Sequence, residues 1–214
     1  MIPSSKEAFL PVAGECSIPL DFSQHDFKFT RHWFRNRNQS SWSTFLKPKF
    51  NGEFPIRFLQ VGVFESYDLC WIFQNILTHP DSRAVGIDPW VETTKLEQST
   101  MSAVEARARH NLAPWADKVK IIKGYSQDVM PILDGYFDCV VIDGDHRKEA
   151  VIEDAKNAVQ LTKPGAWILF DDVRNRVFKK DHVQQALDVI LSSGLKMRLK
   201  LVWRHRYVDC FERI

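Results

Sequence analysis

The stretch that most constrains the fold is residues 137–173, which reads as a strand, a helix and a second strand. It begins with the continuous apolar run FDCVVI, as expected of a strand buried on both faces. Apolar residues then recur at three- or four-residue steps through EAVIEDAKNAVQL, which predicts a helix, and a second apolar run, AWILF, follows. Because such crossovers are right-handed and join parallel strands, both strands should end at the same edge of the sheet.

Acidic residues follow both of these strands. Asp143 and Asp145 come after the first strand together with His146, and Asp171 and Asp172 come after the second. Ligands of open α/β sheets bind at this edge, and Mg²⁺ and Ca²⁺ take oxygen ligands. One interpretation is therefore a divalent-metal site. The other is that these side chains cap turns and helix N-termini, as Asp often does, and the spacing alone leaves both interpretations open.

The composition is that of an ordinary globular protein, since 44% of the 214 residues are hydrophobic and 26% are charged. This length allows one sizeable domain with its own core. The net charge of +2 gives no whole-chain reason to expect a nucleic acid or a membrane as partner. No apolar run reaches about 18 residues, so no transmembrane helix is predicted. The four cysteines form no CxxC pair, which is typical of reduced thiols in a cytoplasmic protein.

The order of the apolar segments predicts an α/β protein. Five buried strands alternate with helices, over residues 56–61, 83–87, 118–122, 137–142 and 166–170. Residues 195–203 alternate apolar and basic side chains, which indicates a strand with one solvent-facing side, and residues 207–211 pair with it. We therefore predict a Rossmann-like three-layer sandwich whose seven-stranded, mostly parallel sheet ends in a C-terminal antiparallel hairpin.

Residues after the first three strands are candidates for binding a nucleotide-like ligand. Gly62 allows a tight turn and a close ligand approach, although a plain strand-to-helix turn would also use it. Asp88 follows the second strand, where an acid can accept both ribose hydroxyls. Pro89 then blocks a helix, and Trp90 offers a flat face to an adenine. Ser126, after the third strand, either caps a short helix or reaches an adenine edge.

Residues 1–50 are predicted to be an N-terminal arm or lid, and residues 51–214 the ligand-binding domain. Residues 25–50 mix basic and aromatic side chains. Such a mixture can bind single-stranded nucleic acid or a phosphate, but more often its rings pack on the domain and its charges stay in water. We favour the packing or lid interpretation, which is compatible with a lid that also touches the substrate. Exchange of the arm between subunits offers a route to a homo-oligomer.

Five segments together resemble a known family: FLQVGVFES, AVGIDPW, IKGYSQD, VVIDGDH and KPGAWILFDDV. They have the order and the spacing of class I S-adenosylmethionine-dependent methyltransferases. Within that class the chain resembles the small O-methyltransferases that act on catechols or on antibiotic sugars. The resemblance implies S-adenosylmethionine as cofactor, Mg²⁺ or another divalent cation, and a small-molecule hydroxyl of a sugar, a catechol or a natural product as methyl acceptor.

The resemblance also implies residue roles. Asp143 and Asp171 are 171 − 143 = 28 residues apart, the spacing of the magnesium ligands in the catechol enzymes, and the sugar enzymes use three Asp at this spacing. His146 lies where the catechol enzymes have a catalytic lysine, and Asp145 is the residue to which the sugar enzymes point, so either would take the acceptor's proton. The implied metal ligands are Asp143, Asp171 and Asp172. The implied cofactor-binding residues are Gly62, Phe64, Glu65, Asp88, Pro89, Trp90, Ser126, Gln127 and Asp143.

Three departures from the family pattern keep other functions open. Gln60 stands where the family has an acid, Ser66 where it has a second glycine, and Asp68 where it often has Ser or Thr. The alternatives are a catalytically degenerate binding module and a metal-independent methyltransferase. A nicotinamide-dependent oxidoreductase is disfavoured because GxGxxG is absent after the first strand. A nucleic-acid methyltransferase is disfavoured because the Asn/Asp-Pro-Pro-aromatic signature of amino-methylating enzymes is absent.

Overall fold

The computed structural model describes residues 16–91, 98–174 and 181–214. In this part of the chain the strands are β1 (Arg57–Val61), β2 (Arg83–Asp88), β3 (Val119–Lys123), β4 (Phe137–Ile142), β5 (Thr162–Phe170), β6 (Leu199–His205) and β7 (Val208–Arg213). They form one seven-stranded sheet in the order β3-β2-β1-β4-β5-β7-β6. Strands β1 to β5 are parallel, whereas β7 pairs antiparallel with both β5 and β6. The predicted fold class is therefore confirmed.

The helices connect these strands across both faces of the sheet. The longer ones are α4 (Tyr67–Asn75), α5 (Gln98–Asn111), α7 (Lys148–Gln160) and α8 (His182–Ser192). The shorter α-helices are α1 (Trp33–Arg37), α2 (Gln39–Ser41), α3 (Lys47–Lys49) and α6 (Ser126–Val129). A π-helical segment (Trp42–Leu46) lies between α2 and α3, and 3₁₀ turns cover Phe22–Gln24, Ala113–Trp115, Met130–Ile132 and Gly194–Arg198.

Two hydrophobic cores lie on opposite faces of the sheet, because successive strand residues point to opposite sides. Phe58 belongs to the core shared with α4 and α5, whereas its neighbour Leu59 belongs to the core shared with α7 and α8. Both side chains are completely buried. This arrangement gives the three layers of the predicted sandwich.

Part of the predicted N-terminal arm packs on the α4 and α5 side of the sheet. Phe34, Trp42, Leu46 and Phe50 are buried in the same core as Phe58. Residues 1–15 of the arm lie outside the described residues. Among the helices of the described ranges, none has the length and apolar character needed to cross a membrane.

Candidate active site

The acidic residues after β4 and β5 meet at one edge of the sheet, as the sequence predicts. The two strands are adjacent and parallel, and their last residues, Ile142 and Phe170, are paired in register. The backbone N–H of Asp171 donates to the carbonyl of Ile142 over 3.1 Å. Asp143 and Asp171 therefore begin neighbouring loops at the carboxyl edge, beside β1, where the order of the strands reverses.

His146 lies between two of these carboxylates. Its Nε2 atom is 3.3 Å from Oδ1 of Asp143, and its Nδ1 atom is 3.5 Å from Oδ2 of Asp172. One potential ligand atom from each of Asp143, His146 and Asp172 lies within 4.8 Å of the others, which fits the size of a metal site. The group differs from the predicted ligand set, because it contains His146 in place of Asp171.

Asp171 is held by neighbouring donors. Its Oδ2 atom accepts a hydrogen bond of 2.5 Å from Nδ2 of Asn38, and its Oδ1 atom accepts one of 2.7 Å from the backbone N–H of Asp172. Asn38 belongs to the N-terminal segment, as does Arg37, whose Nη1 atom is 2.9 Å from Oδ1 of Asp172. The segment that the sequence marks only as basic and aromatic thus reaches the acidic edge.

Burial and mutual repulsion disfavour the charged forms of Asp143 and Asp171. Burial raises the pKa of Asp143 well above its ordinary value, and the charges of Asp172 and Asp68 raise it further. Burial likewise raises the pKa of Asp171, with further contributions from Asp143 and Asp172. The Asp143 side chain is still 30% exposed, so water screens part of this repulsion. Burial also raises the pKa of Asp68, in the first turn of α4, to about 7.

The loop after β1 approaches the acidic edge very closely at Gly62. Its φ of 84° lies in the left-handed region, and a side chain there would overlap the carbonyl oxygen of Asp143. The neighbouring side chain of Gln60 is completely buried, and its Nε2 atom donates to the Gly62 carbonyl over 3.0 Å. Within the described part of the chain, Oε1 of Gln60 has no hydrogen-bond partner. The Oε1 atom of Gln60 is therefore a buried acceptor near the end of β1 that a ligand could use.

Asp88 organises the loops after β1 and β2. Its Oδ2 atom accepts hydrogen bonds from the backbone N–H groups of Val63 and Phe64, both 2.9 Å long, and its Oδ1 atom accepts one of 2.8 Å from Trp90. Burial raises the pKa of Asp88, although these three donors oppose the shift. Trp90 is completely buried and donates from Nε1 to the Phe64 carbonyl, while Pro89 is half-buried.

The side chains of Glu65 and Ser66 form hydrogen bonds with other residues of the protein. The buried Glu65 carboxylate accepts hydrogen bonds from the backbone and the hydroxyl of Thr30, both 2.7 Å long, and from Nε of Arg107 over 2.6 Å. Ser66 adopts a left-handed φ of 65°, the conformation that explains the family's glycine at this position. Its completely buried hydroxyl lies 2.6 Å from the carbonyl oxygen of Glu65 and 3.2 Å from that of Ala108, so the added side chain packs toward α5.

Ser126 and Gln127, at the start of α6, adjoin an acid that the sequence did not single out. The amide Nε2 of Gln127 donates over 3.2 Å to Oδ1 of Asp154 on α7. Asp154 is completely buried, which raises its pKa to about 6, although the hydroxyl of Ser126 and the amide of Gln127 oppose the shift. The sequence gives one indication that Asp154 is buried, which is its position among the apolar residues that recur along α7. Asp145, by contrast, accepts hydrogen bonds from the backbone and Nε of the exposed Arg147.

A scan against protein families matches residues 59–173 to a methyltransferase domain. The chain is 30% identical over 118 residues to a catechol O-methyltransferase of Mycobacterium tuberculosis, covering 55% of this chain and 48% of that protein. It is 29% identical over 125 residues to an uncharacterized protein of Acanthamoeba polyphaga mimivirus, covering 56% of this chain and 52% of that one. The chain therefore spans about half the length of the curated relatives it matches.

Solved methyltransferases share the fold. The SAH-bound methyltransferase PaMTH1 of Podospora anserina superposes with a TM-score of 0.60 and 21% identity, over 86% of this chain and 83% of that one. A match at this identity concerns the fold alone. The family match covers more than half of this chain, including β1 from Leu59 onward, the Gly62 loop and all the acids discussed above. The family resemblance predicted from the sequence is confirmed, and the chain belongs to the methyltransferase domain family.

Proposed function

We propose that the protein is an S-adenosylmethionine-dependent O-methyltransferase that methylates a small-molecule hydroxyl with the help of Mg²⁺ or another divalent cation. The observation that carries the proposal is the convergence of Asp143, Asp171, Asp172 and His146 beside the Gly62 loop of a methyltransferase domain. The matched relative named as a catechol O-methyltransferase supports a hydroxyl acceptor. The acceptor class remains a sugar, a catechol or a related natural product.

The cofactor is proposed to bind across the loops after β1, β2, β3 and β4. Gly62 gives close backbone access, and the buried Oε1 of Gln60 can accept a hydrogen bond from the ammonium group of the methionine part. Asp88 keeps the loops in place, and the one remaining lone pair, on its Oδ1 atom, is proposed to accept a ribose hydroxyl. Since the Glu65 carboxylate is bound to Thr30 and Arg107, we assign Glu65 a role in shaping the loop. Phe64, whose main chain is bound to Asp88 and Trp90, is assigned the same role. Pro89, Ser126, Gln127 and Asp143 complete the proposed cofactor site. The completely buried Trp90 ring offers no free face to an adenine, and we assign Trp90 the role of supporting the loop through its hydrogen bond to the Phe64 carbonyl.

The acidic edge fits a hard divalent cation. Carboxylate oxygens suit Mg²⁺, whereas imidazole suits transition metals, so we assign the cation to Asp143, Asp171 and Asp172. Burial first and the neighbouring carboxylate charges second raise the pKa of Asp143 and of Asp171, and a bound cation would neutralise that crowded charge. When bound, the cation would hold the acceptor oxygen and lower the pKa of its hydroxyl.

His146 is proposed to be the general base. The acceptor oxygen attacks the sulfonium methyl group, a C–O bond forms as the S–C bond breaks, and the hydroxyl proton passes to the imidazole. S-adenosylhomocysteine leaves as the second product. His146 suits the step because its ring lies between Asp143 and Asp172, which would stabilise the imidazolium that forms. Asp145 is the less favoured base, since its carboxylate is engaged by Arg147.

Calorimetric titration of the chelator-treated protein with S-adenosylmethionine and S-adenosylhomocysteine, each with and without Mg²⁺, tests the proposal. We expect micromolar binding, lost in Asp88→Ala and Asp88→Asn, followed by turnover in a screen of catechols and sugars. His146→Gln should abolish turnover while cation binding persists; loss of cation binding would instead make His146 a metal ligand. If the folded protein bound neither cofactor form, the proposed methyltransferase activity would be overturned, and the catalytically degenerate binding module would be favoured.

A metal-independent methyltransferase is the second candidate, and the position of Arg37 favours it. Its guanidinium already pairs with Asp172 at the proposed cation site. In this metal-independent mechanism, Arg37 would supply the positive charge that the cation supplies in the first, and turnover would be insensitive to strong chelators. Equal rates in the presence of EDTA and of Mg²⁺ would select this candidate over the first.

A further inference from the structure

Arg37 reaches the acidic edge through a helix that crosses the carboxyl ends of the strands. At the start of α1, the half-exposed Trp33 ring lies 4.9 Å from the ring of Phe64, in the loop after β1. At the end of the same helix, Arg37 contacts Asp172, in the loop after β5. The helix therefore spans the region between the proposed cofactor loop and the acids, and it places the Arg37 guanidinium beside the Asp172 carboxylate.

The contact between Arg37 and Asp172 is a partly buried ion pair. The two atoms Nη1 and Oδ1 are 2.9 Å apart, and the side chains are 29% and 8% exposed. The guanidinium carbon also lies 5.9 Å from the ring centre of Tyr207, in the turn between β6 and β7. Next to it, Asn38 donates to Asp171 over 2.5 Å. Consecutive residues of the N-terminal segment thus satisfy oxygens on both members of the acidic pair.

A divalent cation and the Arg37 guanidinium would compete for the same carboxylate. Oδ2 of Asp172 faces His146 at 3.5 Å and Oδ1 faces Arg37, so a cation held by this carboxylate would lie within a few ångströms of the guanidinium. Arg remains charged at every accessible pH, so it cannot lose the charge by releasing a proton. The like charges repel strongly at such a distance in a partly buried site.

We propose that Arg37 is the internal counter-ion of the acidic edge, and that a divalent cation binds there by displacing the guanidinium from Asp172. The inference rests on the cation site of the proposed function and does not depend on which hydroxyl is methylated. It assigns Arg37 a direct influence on cation affinity.

Cation binding to the chelator-treated protein, followed with Mn²⁺ by electron paramagnetic resonance and with Mg²⁺ by calorimetry, tests this inference without turnover. We expect Arg37→Gln and Arg37→Ala to tighten Mn²⁺ binding at least about tenfold, and Arg37→Lys to stay near the wild type because it keeps the charge. Arg35→Ala is the matched control, since Arg35 lies on the same short helix, carries the same charge and is exposed. It should leave the affinity unchanged, and Asp172→Asn should abolish binding.

Two measurements keep the result interpretable if a variant folds poorly. Circular dichroism and S-adenosylhomocysteine affinity report on the fold and on the cofactor site, and Arg37→Gln preserves most of the side-chain packing. Equal or weaker Mn²⁺ binding in folded Arg37→Gln, or no Mn²⁺ binding in any variant, overturns the inference. Failure of S-adenosylhomocysteine to bind, by contrast, would count against the proposed function and would leave the cation result standing on its own.

Discussion

Gly62 follows β1 and lies against the backbone of Asp143, which follows β4. A substitution at Gly62 should therefore lower the free energy of unfolding far more than one at another glycine with the same backbone conformation. Gly62 and Gly165 have φ values of 84° and 86°, but a Cβ atom at Gly62 would overlap the Asp143 carbonyl. Among the described residues, no atom outside the adjoining chain lies within 4 Å of a Cβ atom placed at Gly165. We expect Gly165→Ala to lower the free energy of unfolding by about 1 kcal/mol, through backbone strain alone. Gly62→Ala should lower it by about 4 kcal/mol or more. Urea denaturation measures both, and equal losses would contradict the close approach.

The buried Asp154 should make stability depend on pH. Its pKa is raised to about 6 from an ordinary value of 3.8, so the folded state binds a proton more tightly than the unfolded state does. Stability is therefore lost as pH rises from about 4 through 6. Asp154→Asn removes this loss and should stabilise the protein by up to about 3 kcal/mol at pH 8, but only by about 1 kcal/mol at pH 4.5.

Urea denaturation of Asp154→Asn and wild type at the two pH values tests this prediction. Glu153→Gln is the matched control, since Glu153 precedes Asp154 on α7 but is about half-exposed and paired with Lys156. A gain in stability that does not change with pH would show that Asp154 is not the titrating group.

Between elements, Glu65 is a buried polar link between the N-terminal segment and the domain. It lies after β1, accepts hydrogen bonds from Thr30 and from Arg107 on α5, and is 1% exposed. Glu65→Ala should therefore loosen the segment, with faster amide hydrogen exchange over residues 25–41 and a stability loss of about 3 kcal/mol. Glu149→Ala, at an exposed position on α7, is the control and should leave exchange in the segment unchanged. Unchanged exchange in Glu65→Ala would mean that the aromatic contacts hold the segment without it.

The elements also indicate how far the sequence determines the fold. The central strands were predictable because strands buried on both faces are continuous apolar runs, and the chain order then brought Asp143 beside Asp171. The boundaries of the strands were less predictable from the sequence. β5 begins at Thr162 instead of Ala166, with an irregular register that accommodates Pro164. The alternating pattern expected for a strand from residue 195 conceals a 3₁₀ turn over Gly194–Arg198.

Contacts between distant residues account for what the sequence could not predict in the site. Arg37 and Asp172 are 135 positions apart, and no spacing rule connects a basic residue in an aromatic stretch with an acid after a strand. The same holds for Gln127 and Asp154, whose hydrogen bond depends on how α6 packs against α7. The predicted acids did converge, but their donors come from the N-terminal segment, for which the sequence offered no period or motif.

For the molecule as a whole, the proposed cofactor would bridge loops that follow β1, β2, β3 and β4, so binding should stabilise the entire domain. A ligand that binds only the folded state, at 100 times its dissociation constant, adds about 2.7 kcal/mol to the free energy of unfolding. For a chain of this length that corresponds to a rise in melting temperature of about 5–10 °C. We expect this rise with S-adenosylhomocysteine, measured by differential scanning calorimetry, and none with Asp88→Asn at the same concentration. Because Asp88 fixes the loop amides of Val63, Phe64 and Trp90, that variant should also melt lower without ligand. Calorimetric binding with no rise in melting temperature would mean that the cofactor does not favour the folded domain, and that the bridging of the loops is wrong.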